Sequence, residues 1–276
     1  MNLFVLIACH NRRELTVRAI RQASAAALVA GLNPHFVVYD DGSSDGTSDA
    51  LNSLDADITV LRGDGSAYWA RSMAEAERAA LQHGALRSDD LLLWLNDDVE
   101  LDDHALRTLL DTRSDGTAVV VGAMRHPGSA EITYSGLCRA GAHPLRFRRV
   151  TPVGEPTRVD TFNGNCVLVP VGVARLLGGI DGGFSHSLAD IDYGLRCNKA
   201  GTPVLLASKS VGACARNPAP PPTSALKAWA AFTGAKGGGN YRSLRRILQR
   251  SSRSTWWAFI GGTYGLWWLR RVTKRS

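Results

Sequence analysis

The chain of 276 residues lacks the marks of several protein classes. Its five cysteines (Cys9, Cys138, Cys166, Cys197 and Cys214) are scattered, odd in number and without a CxxC spacing. That argues against a disulfide framework or a zinc ribbon and for a reducing compartment. No apolar run reaches the roughly 20 residues that a membrane-spanning helix needs. The opening MNLFVLIACHNRRE has no basic stretch ahead of its apolar run. It therefore reads as a buried strand rather than a signal peptide, and a cytoplasmic protein is expected. Acid is missing from the end of the chain. The 84 residues after Asp192 hold 15 Lys and Arg and no Asp or Glu, whereas residues 1–192 carry all 25 acids and a net charge of −8. A basic tail of this kind suits an anionic surface. Nucleic acid is set aside, because no recognised binding motif or aromatic pattern accompanies the charge. An anionic membrane leaflet or a phosphate-bearing acceptor fits better.

The first half alternates short apolar runs with amphipathic segments. Strands are expected at Asn2–Ala8, Phe36–Tyr39, Ile58–Leu61, Leu91–Leu95 and Ala118–Val121. Between them, helical spacing predicts helices over Arg13–Ala30, from about Thr47 to Leu54, over Ser66–Gln82 and over Asp102–Leu110. Strands and helices in this alternation imply βαβ units and a mostly parallel sheet covered on both faces. After Gly122 the rhythm changes. Glu131–Cys138 and Leu145–Pro152 read as extended segments, Thr161–Val169 as a strand running into a helix at Val171–Leu177, Asp190–Ala200 as a helix and Pro203–Ala207 as a final strand. The proline-rich stretch Asn217–Thr223 marks where the chain leaves the sheet.

Ligands of an open α/β sheet bind at the carboxyl ends of its strands, so the residues leaving strand ends matter most. Asp40-Asp41-Gly42-Ser43 follows the second strand. It reads either as a turn with a helix cap or as a contact for a base or ribose. Asn96-Asp97-Asp98 follows the apolar Leu91–Leu95. Adjacent carboxylates there are costly unless a cation neutralises them, and hard oxygen ligands suit Mg²⁺ or Mn²⁺ on a donor diphosphate; a capped helix start is the plainer alternative. Asp190 and Asp192 open a predicted helix, either as cap and dipole partners or with one acting as a general base.

In order along the chain, DDGS, NDD and the late DxD resemble the family 2 glycosyltransferases of GT-A fold. Further likeness lies in Leu6–Arg12, where the family often shows a Thr-Tyr-Asn-Arg-like turn. Gly63–Ala70 looks like the Gly-x-Gly-x-x-Trp-Trp stretch of bacterial rhamnosyltransferase-like members. Asn163-Gly164-Asn165 and Gly178–Phe184 resemble an acceptor-side segment. The likeness covers about residues 1–215 and implies a role for each matching position. Asp40 and Asp41 would meet uracil or thymine and ribose, with Ala8, Asn11, Gly65, Arg71 and Asp97 also on the donor side. Asp98, with Asp97 beside it, would hold Mg²⁺ or Mn²⁺. Asp190 would be the catalytic base, supported by Asp192, with Trp69, Asn163 and Arg216 toward the acceptor or in support. The implied reaction is a single displacement that inverts the anomeric centre, from a UDP- or dTDP-sugar to a cell-surface glycan or lipid-linked acceptor.

The chain departs from the family in three places, one of them Arg71, which stands where a Gly is common in the Trp69 stretch. Ala189 stands where a Glu usually precedes the base, and Val211–Asn217 holds no late His. The latter two departures keep open a catalytically silent protein that binds a nucleotide or glycan. A sugar-nucleotide nucleotidyltransferase is a second alternative, although Asn11-Arg12-Arg13 lacks that class's glycine-rich phosphate loop. His186 is read as a loop hydrogen-bonder and set aside. Residues 216–276 are expected to form a basic, Trp-rich helical extension. Its segment Ser254–Leu269 would meet a membrane interface on the inner face of the membrane, pack on the catalytic domain, or pair two copies as a homodimer.

Overall fold

The computed structural model describes residues 1–84, 86–113, 116–216 and 223–273. All of the expected boundary at 217–223 except Thr223 lies outside them, as do the basic residues Lys274 and Arg275. In chain order the elements are β1 (Leu3–Cys9), α1 (Arg13–Val29), β2 (Pro34–Asp40), α2 (Thr47–Asn52), β3 (Ile58–Arg62), α3 (Tyr68–Leu81), β4 (Leu91–Leu95), β5 (Glu100–Leu101), α4 (Ala105–Thr112) and β6 (Val119–Arg125). There follow β7 (Ile132–Tyr134), β8 (Gly136–Arg139), β9 (Phe147–Arg149), β10 (Thr157–Arg158), β11 (Thr161–Phe162), β12 (Cys166–Pro170), α5 (Val171–Leu177), α6 (Ala189–Lys199) and β13 (Val204–Ala213). The chain ends in α7 (Ala225–Thr233), α8 (Tyr241–Ser251) and α9 (Trp256–Thr273).

The main sheet runs β10-β13-β6-β12-β4-β1-β2-β3. Strands β3, β2, β1 and β4 are parallel, β12 runs antiparallel between β4 and β6, and β6 and β13 are parallel again. Successive strand side chains point to opposite faces. Phe4 and Leu6 of β1, Leu92 and Trp94 of β4 and Val167 and Val169 of β12 thus enter one core, with α3, α5, α6 and α8. Leu3, Val5, Ile7, Leu91, Leu93, Leu95 and Leu168 enter the other, under α1 and α4. Burial on both faces is why β1 and β4 are continuous apolar runs. In the first core Trp94 packs edge-on against Trp69, Phe162 and Tyr193, with ring centroids 6.2, 5.9 and 4.7 Å away.

Some boundaries differ from the pattern. Helix α4 starts at Ala105 rather than Asp102, because Glu100–Leu101 pairs with β13 and Asp102 accepts both guanidinium N–H groups of Arg125 at 2.7 and 2.8 Å. The expected strand Thr161–Val169 is split into β11 and β12, and Asn163–Asn165 between them line a cavity. The extended segments after Gly122 form β7 and, with β11, the small sheet β11-β8-β9. The last strand runs on to Ala213 with register shifts near Ser210.

The C-terminal helices join the fold unevenly. Leu244, Ile247 and Leu248 of α8 are buried in the first core, α7 has no buried residue and, among the described hydrophobic side chains of α9, Ile260 is the buried one. No helix among the described residues is long and apolar enough to cross a membrane.

Glu77 of α3, 1% exposed, accepts the amide N–H of Ile180, and its Oε1 has no partner among the described residues. Burial pushes its carboxyl up from 4.5 to about 7, against the weaker pull of the Ile180 amide and Arg196. The folded chain thus holds an extra proton between those values, and stability from this group falls as pH rises through the window, by about 3 kcal/mol at most. Glu77→Gln should unfold at higher urea than the parent chain at pH 8, with the difference shrinking at pH 5. A difference independent of pH would refute the assignment.

Candidate active site

Strand order reverses at β1, flanked by β2 on one side and β4 on the other. Loops leaving the carboxyl ends of such neighbours diverge and open a crevice. A cavity of about 810 Å³ occupies that place. Ala8, Cys9, His10 and Arg12 line it from the end of β1, Asp41 from β2, and Gly65, Tyr68, Trp69 and Ser72 from the start of α3. Asn96, Asp97 and Asp98 reach it from β4, Asn163–Asn165 from the β11–β12 junction, and His186, Ser187, Leu188 and Asp190 from the start of α6. Tyr134, Leu145 and Phe147 close one side, and Lys236 enters from the C-terminal segment.

Each carboxylate is held differently. Asp41, 5% exposed, accepts the backbone N–H groups of Gly65, Ala67 and Tyr68 at 3.0, 3.2 and 2.9 Å, so it shapes the loop it faces. The loop approaches so closely that a Cβ on Gly63 would lie 2.6 Å from Asp41 Oδ1. Arg12 donates through Nη1 to Asp97 at 2.8 Å and to Asp98 at 3.2 Å. One guanidinium does not offset two neighbouring carboxylates: burial, with Asp98 beside it, pushes the Asp97 carboxyl up to about 6 although Arg12 pulls it down. Asp190 accepts the N–H groups of Gly164 at 3.0 Å and Ile191 at 2.8 Å, while burial raises its carboxyl above the ordinary value. Gly164 also gives room to Trp69, whose ring carbons would lie 2.9 Å from a Cβ there and whose Nε1 donates to Asn96 Oδ1 at 2.8 Å.

Of the residues singled out in the sequence, Ala8, Asp41, Gly65, Trp69, Asp97, Asp98, Asn163 and Asp190 line the cavity together. The others do not line it. Asp40 is 2% exposed and accepts the N–H of Ser43 and the hydroxyl of Ser48, capping the turn. Asn11 clamps the same turn, its Oδ1 accepting Ser44 N–H at 2.8 Å. Arg71 lies exposed on α3, Asp192 is locked between Arg196 and Arg250 at 2.8 and 2.7 Å, and Arg216 pairs with Glu131 at 3.4 Å. Ala189 is wholly buried in the first core, so the place before Asp190 is apolar. Where a late His was missed, Cys214 points its Sγ–H at Asp98 Oδ1, 3.6 Å away.

Lys236 was not singled out, and His186, set aside as a loop hydrogen-bonder, belongs to the cavity instead. His186 lines the cavity with its Nδ1 buried and unpartnered among the described residues, and burial, Lys236 and Arg12 lower its pKa. Lys236 had no signal beyond its glycine-rich neighbourhood. Backbone strain supplies a further mark. Among the described residues the non-glycine positions with positive φ are Asn11 (52°), Tyr68 (52°) and Leu188 (78°), and all lie at or beside this cavity.

Among the described residues no group of three or more His, Cys, Asp or Glu is placed to hold a metal ion. The carboxylates of Asp97 and Asp98 nonetheless fit Mg²⁺ or Mn²⁺, cations commonly bound through one or two carboxylates with phosphate and water completing the shell. Their uncompensated charge at the cavity wall is the observation behind that fit.

Many solved structures superpose on the chain, among them the following three. GalNAc-T7 with UDP, GalNAc and Mn²⁺ aligns at a TM-score of 0.62 and 15% identity over 90% of this chain and 47% of that one. Residues 1–349 of S. aureus TarS align at 0.60 and 10% identity over 91% and 66%. The mannosyltransferase PcManGT from Pyrobaculum calidifontis, with GDP-Man and Mn²⁺, aligns at 0.53 and 15% identity over 90% and 62%. The chain thus spans between about half and two thirds of their lengths, and identities this low speak to fold alone. Among curated proteins none is significantly similar in sequence. The sequence profile of glycosyl transferase family 2 matches residues 4–165, more than half of the chain. With the reversal of strand order and the acidic cavity it lines, the chain belongs to glycosyl transferase family 2 and has the GT-A fold.

Proposed function

We propose that this chain is an inverting glycosyltransferase that moves a sugar from a UDP- or dTDP-sugar to a hydroxyl of a cell-surface glycan or lipid-linked acceptor. The observation that carries the reading is that Asp41, Asp97, Asp98 and Asp190, from strand ends far apart in sequence, share one cavity at the point where strand order reverses. Asp41 and Gly65 would frame the nucleoside. Asp98 and Asp97 would hold Mg²⁺ or Mn²⁺, which when bound supplies charge neutralisation for the leaving diphosphate. Asp190 would take the proton of the acceptor hydroxyl as its oxygen bonds to the anomeric carbon and the bond to the diphosphate oxygen breaks. Two backbone amides fix the direction of this carboxylate, and burial raises its proton affinity, as a base working near neutral pH requires. Trp69 and Asn163 border the same space and would orient the acceptor.

We further read residues 216–276 as an extension to this catalytic unit that rests on an anionic membrane surface. Trp257, Gly261, Gly265, Leu266, Trp268 and Leu269 make an exposed face of α9 without a polar side chain, and Leu226 of α7 is 74% exposed. Charge beyond Asp192 is of one sign. Tryptophan with basic flanks favours the interface of an anionic leaflet, where a lipid-linked acceptor resides.

Asp190→Asn should lower sugar transfer by about 10²–10⁴-fold while leaving the thermal shift with nucleoside diphosphate unchanged. In the parent chain kcat/KM should fall with acid through a midpoint above the ordinary carboxylate value of 3.8, because the base must be ionised. Mn²⁺ alone should stabilise the chain little, and a nucleoside diphosphate with Mn²⁺ much more. Full transfer by the Asn variant, or indifference to UDP, dTDP and GDP alike, would sink the reading. The full chain should also pellet with phosphatidylglycerol-containing vesicles and not with phosphatidylcholine alone, less so at high salt. Trp257→Glu with Trp268→Glu should weaken that binding about tenfold or more. A stable dimer that ignores vesicles would show that the face meets a second copy instead.

A further inference from the structure

Lys236 stands 23 residues beyond the end of β13, yet it lines the same cavity as Arg12, Asp98 and Asp190. The segment that delivers it is a tightly held turn. Asn240 caps α8 by accepting Ser243 N–H at 3.1 Å and donates its amide to the carbonyls of Thr233 and Gly234, both at 3.3 Å. Tyr264 of α9 donates its hydroxyl to the carbonyl of Gly239 at 2.8 Å, and Gly239 N–H donates to Phe232 O at 3.0 Å. The turn is closed so hard on α7 that a Cβ on Gly237 would lie 1.9 Å from the Phe232 carbonyl oxygen, and one on Gly239 would lie 2.2 Å from its ring. Helix α8 behind it is pinned by Arg246 and Arg250 on Asp181. Glycines at 237 and 239 are thus what the path of the chain requires, and the result is a lysine presented at the cavity mouth.

The ammonium has no carboxylate partner among the described residues and lies 5.8 Å from the centre of the Tyr68 ring. At that distance the ring of the half-buried Tyr68 is a weak partner for a full positive charge. Tyr68 meets His186 edge-on at 6.4 Å, and Lys236 and Arg12 both act on His186 to disfavour its charged form. Arg12 is already engaged by Asp97 and Asp98, whereas Lys236 brings to the cavity a positive charge that no ion pair among the described residues takes up. A free ammonium beside a site that handles phosphorylated sugars calls for an anion.

We propose that Lys236 binds a phosphoryl group in this cavity, so that the C-terminal segment forms part of the binding site. The inference rests on the glycosyltransferase reading above. The phosphoryl group comes from either of two sources, the diphosphate of the donor or the phosphate of a lipid-linked acceptor.

The test is calorimetric titration of the full chain, its Lys236→Met variant and its Lys236→Arg variant, all in Mn²⁺. Equal melting temperatures confirm that each is folded. The probes are UDP, dTDP and GDP, their free nucleosides, and decyl phosphate as a soluble stand-in for a lipid phosphate. If the donor supplies the anion, Lys236→Met loses about tenfold in affinity for the diphosphate that binds and nothing for its nucleoside, and Lys236→Arg restores most of the loss. If the acceptor supplies it, diphosphate affinity holds and decyl phosphate binding falls by a similar factor. Unchanged affinity for both probes overturns the proposal. A parent chain that binds decyl phosphate through Lys236 but no nucleoside diphosphate overturns the donor reading and leaves the phosphoryl site standing. A parent chain that binds neither overturns both.

Discussion

Everything at this site answers to the cost of gathering carboxylates at a partly dehydrated cavity. An isolated buried charge costs several kcal/mol unless paired or hydrogen-bonded, and each acid here is supported in its own way. Asp41 is held by backbone amides, Asp97 and Asp98 share Arg12, and Asp190 leans on Gly164 and on its own helix start. The compensation is unequal. Asp41 has three amide donors, whereas Asp97 and Asp98 divide one guanidinium, and it is there that charge is left over. A site that saturated all its acids would be more stable and would have nothing left for a cation or a proton.

The neighbouring backbone carries the same logic. Asn11, Tyr68 and Leu188 take left-handed conformations beside the cavity, each in a loop that must turn sharply as it leaves or enters a regular element. Such strain persists only where the surroundings hold it. Tyr68 is held because its amide is one of the donors to Asp41, and Leu188 because Asp192 N–H, one turn into α6, donates to its carbonyl at 2.9 Å. Trp69 links this rim to the core, where Trp94 meets it, Phe162 and Tyr193 edge-on, so side chains that face the cavity are braced by the sheet.

The C-terminal helices are bound to the same region by charge as well as packing. Arg250 reaches both Asp181 and Asp192, which ties α8 to the first turn of the helix that bears Asp190. The segment without acids therefore spends part of its positive charge on the last acids of the preceding chain, part toward the cavity through Lys236, and leaves the apolar flank of α9 uncovered.

What the amino-acid order determined by itself was the layered α/β arrangement and the strand ends where acids gather. Both follow from local rules: strand side chains alternate between faces, so runs such as Leu91–Leu95 must be covered twice, and polar residues directly after them must sit at a sheet edge. The order could not separate Asp40 from Asp41. Adjacent residues point to opposite sides, and the register of β2 against β1 and β3 sends one carboxylate into the turn and the other into the cavity. Nor could it assign Asp192 to an arginine 58 residues away rather than to a role in support of Asp190. Only the tertiary structure brought His186 and Lys236 to the site. A cavity is assembled from loops distant along the chain, and no periodicity or spacing encodes where a turn between late helices will come to rest.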